Sequence, residues 1–540
     1  MHRDLDRLTG RTFDVLVVGG GICGLTIAYD AAQRGLAVAL IDRDDFGSGI
    51  SFNHLRTIHG GLRYLQTLDI ARARESVRER RTIARIAPHA VRSTPFALPL
   101  YRSITRGKLA LRAGFLLDRG VAAGRNRGLA PSHRLPAGRV VSKSTAIQQY
   151  PGLRRQGLTG AAVWHDYVMT EPDRLTFSFA LAAAEHGAFV ANHVEAVALL
   201  AKGGRVTGVS ARDRLGDRQL DIAARITVNA TGGRMDALLK PLNLSSGVPM
   251  LKAMNLVTKR DAGEEALGGR SSVGKNLFLV PWRERAVFGT WESDKPWDPA
   301  DGAIGEQEVQ AFIADLNHAF PALDLSRSDV TLVHRGLLPA VVRGNRASLQ
   351  GREQVRDHAS DGFDGLLTVT GPKYTTARAV AQRLTDRLLS KLQRAAVPCH
   401  TATTALPGGG IRDVGFAIAE ARRDHDAGLP SDTIPHLIAA YGSRYRDVLE
   451  LAVDRPDWRT RIAKDSPVIG AQLVHAVRKE MALTLADVVL RRTPLGALGH
   501  PGSDAIETAA AIVGAELGWS DQRREDEIAA VNAFYATTAL

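Results

Sequence analysis

Residues 13–42 read FDVLVVGGGICGLTIAYDAAQRGLAVALID, and this stretch decides the fold. Residues 13–18 are a short, β-branched apolar run that ends in three glycines. Apolar residues then recur at helical spacing from Ile22 to Gln33, and a second buried-type run occupies 37–41. Strand, glycine turn, helix and strand within about thirty residues make a βαβ unit, which opens a parallel sheet. Gly19, Gly21 and Gly24 satisfy GxGxxG at the strand-to-helix turn. The first permits the tight turn, the second lets backbone approach a pyrophosphate, and the third lets helix and strand pack closely. The helix start adds free N–H groups and a positive dipole end. Asp42 closes the second strand, where an acid bonds the ribose hydroxyls of a dinucleotide.

Working outward, strand-like runs return far downstream at 225–229, 277–280, 286–289 and 366–370. The cofactor fold is therefore assembled from separated segments. Ala230 and Gly232 form a second turn directly after the run 225–229. Gly371, followed by Lys373, Tyr374 and Thr375, forms a third after 366–370. Three glycine turns converging on one cofactor suit a long, buried FAD better than an exchangeable nicotinamide. The expected fold class is α/β within an α+β whole. A Rossmann-like FAD-binding domain takes 1–90, 150–250 and 330–400, and a substrate or cap domain with an antiparallel sheet takes 91–149 and 251–329. Helical spacing in 434–453, 471–490 and 505–517 predicts an all-helical C-terminal domain over 408–540, reached through the linker Pro407-Gly408-Gly409-Gly410.

Composition narrows the class. A chain of 540 residues exceeds one hydrophobic core, and 44% apolar with 24% charged residues is ordinary for folded protein. No apolar run reaches the ~18 residues a membrane span needs, and the charged stretch 1–11 does not read as a secretory leader. Cys23 and Cys399 are the two cysteines, which excludes a disulfide framework and fits a reducing cytoplasm. Lys plus Arg is 70 against 57 Asp plus Glu. That balance fits arginine-rich solvated faces, an anionic substrate or an anionic membrane surface. Residues 101–128 hold seven Arg or Lys against one Asp with apolar residues interleaved. The segment reads either as an interfacial element at the cytoplasmic face of a membrane or as a helix packed on the core. No aromatic–basic cluster or nucleic-acid motif is present, so nucleic acid is not an expected partner, and no metal site is expected.

At Ile58-His59-Gly60-Gly61-Leu62-Arg63-Tyr64-Leu65 the sequence resembles the FAD-dependent glycerol-3-phosphate dehydrogenases, members of the D-amino-acid-oxidase-like flavoprotein superfamily. The resemblance continues through 87–89, Pro281-Trp282, Gly289-Thr290, 373–378, 441–443, 476–482, 485–487 and 491–493, and so spans the chain. It implies hydride transfer from the secondary alcohol of a small anionic substrate, sn-glycerol 3-phosphate, to flavin N5. Electrons then pass to a quinone or, in oxidase relatives, to oxygen. It places His59, Gly60 and Gly61 beside the isoalloxazine, and Lys373, Thr375 and Thr376 near its pyrimidine end. Arg63 and Arg352 would bind the substrate phosphate through bidentate pairing, with Tyr64, Arg335 and Thr376 in the same pocket. Further cofactor candidates are Arg43, Ser51, Val194 and Gly336. The proton acceptor is expected among His59, His334 or a water held by Asn255. Two positions depart from the family: Leu338 stands where an arginine is expected, and Asn255 where a histidine is expected. They leave open a related flavin dehydrogenase or oxidase acting on another polyol, a hydroxy acid or an amine. A homodimer is also left open.

Overall fold

The structure, a computed structural model, describes residues 1–62, 64, 68–101, 108–150, 152–344, 346–371, 373–425 and 428–536. Strand β1 (Thr12–Val18) is buried along all but its first residue. Such a run needs sheet neighbours on both sides, and it has them: the parallel partners are β2 (Val38–Ile41) and the strand Gln219–Asn229. The first sheet runs Gln354–Asp357, Leu366–Thr370, Gln219–Asn229, β1, β2, Phe189–Ala191, with Val194–Lys202 and Arg205–Asp213 attached at one side. Register aligns Val18 with both Ile41 and Asn229, and Asn229 with Thr368. The glycine turns after these strands therefore leave the same sheet edge side by side. Helix α1 (Ile22–Gln33) has ten of twelve residues buried, sandwiched between the helices Pro172–Glu185 and Ala377–Lys391. This position explains why even its polar Thr26 and Asp30 are buried.

The second sheet crosses the molecule in the order Arg346–Leu349, Val330–Arg343, Met250–Thr258, Arg285–Glu292, Asn276–Trp282, Ala266–Arg270, Val91–Tyr101, Leu158–Met169, Thr57–Ile58, with Arg139–Ser142 paired on Leu158–Met169. The segments 158–169 and 330–349, expected in the cofactor domain, run in this sheet instead. The strand Leu158–Met169 pairs with Val91–Tyr101 along nearly its whole length, and a hydrophobic pattern does not say which sheet a strand joins. The sheet is mixed, since Ala266–Arg270 runs parallel to Val91–Tyr101. Helix Glu306–Ala319 closes its core with Phe312 and Leu316 against Met254 and Phe288.

The tail beyond 408 is helical, but its helices are shorter than the apolar spacing suggests. The stretch 434–453 breaks into Thr433–Tyr441 and Tyr445–Asp454 at Gly442, whose φ is +57°. The stretch 471–490 breaks at Met481, also left-handed. The glycines 408–410 form a packed junction rather than a free linker: a Cβ on Gly408 would lie 2.3 Å from the Tyr441 carbonyl oxygen, and one on Gly409 2.0 Å from that of Ile86. Buried ion pairs dock the helical domain onto the cofactor domain, among them Arg492–Asp45, Arg174–Glu480 and His193–Asp487. Within 101–128, Lys108–Val121 is helical, with Phe115 buried while Leu116 and Leu117 are 65% and 41% exposed. Among the described residues no helix is long and apolar enough to cross a membrane, and no group of side chains is arranged to hold a metal ion.

Candidate active site

The first glycine turn is closed by the Gly19 N–H, which donates to the Ile41 carbonyl at 2.8 Å. Gly19 has φ +109°, and a Cβ there would lie 2.6 Å from the Ala230 carbonyl oxygen. The first and second turns thus touch backbone to backbone. A Cβ on Gly24 would lie 1.8 Å from the Gly19 oxygen, so helix and strand can approach this closely only with glycine. The third turn rests on α1: a Cβ on Gly371 would meet Cys23 Sγ at 2.4 Å. Burial pushes the Cys23 thiol up to about 11, which makes it a packing group rather than a thiolate. Gly232, at φ +59°, turns the second loop, and Ala230 N–H donates to Val18 O at 2.8 Å.

Around these turns, Ser51 Oγ accepts from the Ile22 N–H at 2.9 Å and completes the helix start beside Gly21. Asp42 accepts from the Gly20 N–H at 2.5 Å and the Asp44 N–H at 2.8 Å, and the Val194 N–H donates to its carbonyl at 2.7 Å. Burial nonetheless pushes the Asp42 carboxyl up to about 7, against the two N–H donors that favour its charge. Arg43 turns away, half-exposed, to Glu195 at 3.2 Å and Asp44 at 3.5 Å. These features fit the diphosphate and ribose of FAD: glycine backbone where a side chain would intrude, a helix start, and an acid at the strand end.

On the second sheet's side, the His59 N–H donates to Thr375 Oγ1 at 3.2 Å and the Gly60 N–H to Asp166 Oδ1 at 2.7 Å. Asp166 is fixed by an ion pair with Arg80 and by the Trp164 indole N–H at 3.0 Å. A Cβ on Gly60 would collide with the Arg80 guanidinium at 2.2 Å. Lys373 Nζ lies 4.0 Å from the centroid of the Tyr64 ring, and Tyr64 is buried. The Tyr374 hydroxyl meets Thr176 Oγ1 at 3.0 Å, and burial raises its pKa. Thr376 precedes the helix Ala377–Lys391 at its N-cap position, and Gly336 leaves room for Ile50.

Asn255 and His334 are direct partners on neighbouring strands, so their side chains share a face. Asn255 Oδ1 accepts from Thr290 Oγ1 at 2.9 Å, which leaves its NH2 for another acceptor. Arg335 faces the opposite way. Its guanidinium donates to Val333 O at 3.0 Å and Phe534 O at 3.3 Å and lies over the Phe534 ring. Strand alternation separates it from His334. Leu338 lies opposite Leu251. Arg352 is 68% exposed and forks onto Asp69 at 3.1 and 3.0 Å, and the Asp69 N–H donates to Tyr64 O at 3.0 Å. Arg63 lies outside the described residues. His54, Arg56, Asp166 and Arg80 were not singled out from sequence. Arg56 and His54 sit within five residues of His59, yet the positive φ of Arg56, +59°, and its complete burial leave no trace in the residue pattern.

Comparison with known proteins agrees with this geometry. The family described as FAD dependent oxidoreductase matches residues 14–387, and the C-terminal domain of alpha-glycerophosphate oxidase matches residues 399–524. A glycerol-3-phosphate dehydrogenase of Synechocystis sp. is 31% identical over 548 residues, covering 97% of each chain. The mitochondrial glycerol-3-phosphate dehydrogenase of Mus musculus is 31% identical over 97% of this chain and 73% of its own. The fold matches a glycerol-3-phosphate dehydrogenase from Bacillus halodurans complexed with FAD, with a TM-score of 0.77 and 24% identity over 99% of this chain and 96% of that one.

Proposed function

The chain belongs to the FAD dependent oxidoreductases and, within them, to the glycerol-3-phosphate dehydrogenase family, and from that premise we propose that it oxidises sn-glycerol 3-phosphate to dihydroxyacetone phosphate. The observation that carries this is identity at 31% over 97% of both chains, joined to a site that keeps Lys373 beside Tyr64. When bound, FAD accepts the hydride from the carbinol carbon. Lys373 and the Arg352 guanidinium supply positive charge for an oxyanion, with Arg63 in the same string. Of the candidate proton acceptors, His334 is occupied at Nε2 by Arg56. His59 and a water held by Asn255 remain to take the hydroxyl proton.

A second reading is kept by two contacts. Leu338 opposite Leu251 lines an apolar stretch where the family expects an arginine, and Asp69 competes for Arg352. A substrate with a smaller anionic group, such as a hydroxy acid, fits those contacts better. Electrons leave to a quinone, and the exposed Leu116 and Leu117 on the basic helix Lys108–Val121 suit a peripheral contact with the cytoplasmic face of a membrane. Anaerobic addition of substrates to the yellow protein tests the assignment: glycerol 3-phosphate bleaches the flavin under the first reading, and a hydroxy acid, polyol or amine does so under the second.

A further inference from the structure

Ahead of His59 lies a residue that contacts two histidines at once. Arg56 is fully buried. Its main-chain N–H meets His54 Nδ1 at 2.9 Å, and its guanidinium meets His334 Nε2 at 3.2 Å. A main-chain N–H can only donate, and a guanidinium has no acceptor and stays protonated. His54 Nδ1 and His334 Nε2 are therefore acceptors, which puts the protons on His54 Nε2 and His334 Nδ1. Both of these atoms are buried and meet no hydrogen-bond partner among the described residues. Burial first, and Arg56 next, hold both rings well below the usual imidazole range, so each is neutral with one fixed N–H.

A buried N–H without an acceptor costs about 1–3 kcal/mol, and one residue sets two of them. Their surroundings say what they meet. The His54 ring lies 5.3 Å from that of Tyr374, in the third glycine turn. His334 lies against Phe52, next to Ser51 at the helix start, with ring centroids 5.2 Å apart. Gly336, two residues along the strand, rests on Ile50. Both histidines therefore border the segments that form the FAD cradle.

We propose that Arg56 is a positioning residue that fixes His54 as an Nε2–H donor and His334 as an Nδ1–H donor to the flavin ring of FAD. The inference rests on the FAD reading. Hydrogen-bond donors to ring carbonyls or nitrogens strengthen as the ring gains electrons, so the pair favours the reduced flavin.

The test compares His54→Leu with His54→Gln, whose NH2 replaces Nε2–H, and His334→Leu with His334→Asn, whose NH2 replaces Nδ1–H. Arg56→Met and the double variant Arg56→Met/His334→Leu complete the set. For each holoprotein the two-electron midpoint potential is measured anaerobically against reference dyes, and each apoprotein is titrated with FAD. The expected result is that each leucine variant disfavours the reduced over the oxidised flavin about tenfold, which is roughly 30 mV more negative for two electrons. Gln at 54 and Asn at 334 restore the wild-type potential. Arg56→Met reproduces His334→Leu, and the double variant adds nothing further. Weaker FAD binding at an unchanged potential overturns the proposal, because the donors would then hold the ribityl or phosphate part. Additive losses in the double variant also overturn it. If Arg56→Met does not fold, the paired histidine variants still decide. A wild-type apoprotein that takes up no FAD sinks the cofactor reading itself, a separate outcome.

Discussion

Asp69 holds Arg352 by both oxygens and also caps the helix Ile70–Ile86 through the Arg72 N–H. Replacing it with asparagine keeps the cap and removes the carboxylate that competes with the substrate for Arg352. Asp69→Asn is expected to lower the KM for glycerol 3-phosphate severalfold with kcat little changed, as steady-state kinetics with an artificial acceptor would read. The pair is exposed and screened by solvent, which keeps the effect modest. Leu338→Arg supplies the missing donor and is expected to raise kcat/KM for glycerol 3-phosphate at least tenfold, since a partner for a buried oxyanion is worth about 2–5 kcal/mol. A fall in kcat/KM there, with a gain on no other anion, would favour the second reading of the pocket. Gly24→Ala tests the cradle: its methyl would lie 1.8 Å from the Gly19 oxygen, so the purified protein should lack the flavin absorbance while keeping its helical circular dichroism.

At the scale of elements, the βαβ unit was legible because Gly19 and Gly24 meet a backbone that admits no side chain. α1 spans Ile22–Gln33 as the spacing predicts, and Leu366–Thr370 is the strand read from LLTVT. The helical tail was legible in kind but not in length. Gly442 and Met481 end helices by adopting positive φ, and for Met481 no residue signal announces that choice. Sheet membership of 158–169 and 330–349 was not legible either, because pairing partners lie far away in sequence. The site divided in the same way. The glycine turns lie against one another, whereas Arg335 turned to Phe534 and Arg352 turned to Asp69, contacts set by elements remote in sequence. The helix Lys108–Val121 carries its own test. Replacing Lys108, Arg112 and Arg119 with glutamine should abolish sedimentation with anionic vesicles if the segment is interfacial, each cation being worth about 1 kcal/mol near such a surface. Unchanged sedimentation would assign the helix to packing alone.

At the scale of the whole molecule, the helical domain is held to the cofactor domain by buried charge. His193 Nε2 lies 3.0 Å from Asp487 Oδ2. Burial alone would lower the His193 pKa, but the carboxylate overrides it and raises the value. Burial likewise opposes the Asp487 charge, and His193 overrides it and lowers that pKa. The raised histidine stabilises the fold fully below its unfolded value near 6.5, and this is lost as pH rises through the folded value. The depressed aspartate stabilises it above the usual carboxylate range, and this is lost as pH falls through the folded value. The pair therefore contributes most between about pH 4 and 6.5. His193→Asn suits the left-handed backbone there. It should lower the melting temperature most near pH 5.5, with the deficit shrinking toward pH 9. A deficit independent of pH would mean that packing, not charge, docks the domains.

A flavin site joined to a glycerol 3-phosphate pocket in one chain must be reduced by that substrate in the absence of oxygen. Stopped-flow mixing of the oxidised yellow protein with glycerol 3-phosphate should bleach the flavin band in a single saturable phase, with dihydroxyacetone phosphate formed one to one with reduced flavin. Neutral glycerol at the same concentration should leave the band intact. Bleaching by glycerol as readily as by its phosphate, or none by either while a hydroxy acid or amine bleaches the flavin, would contradict the claim.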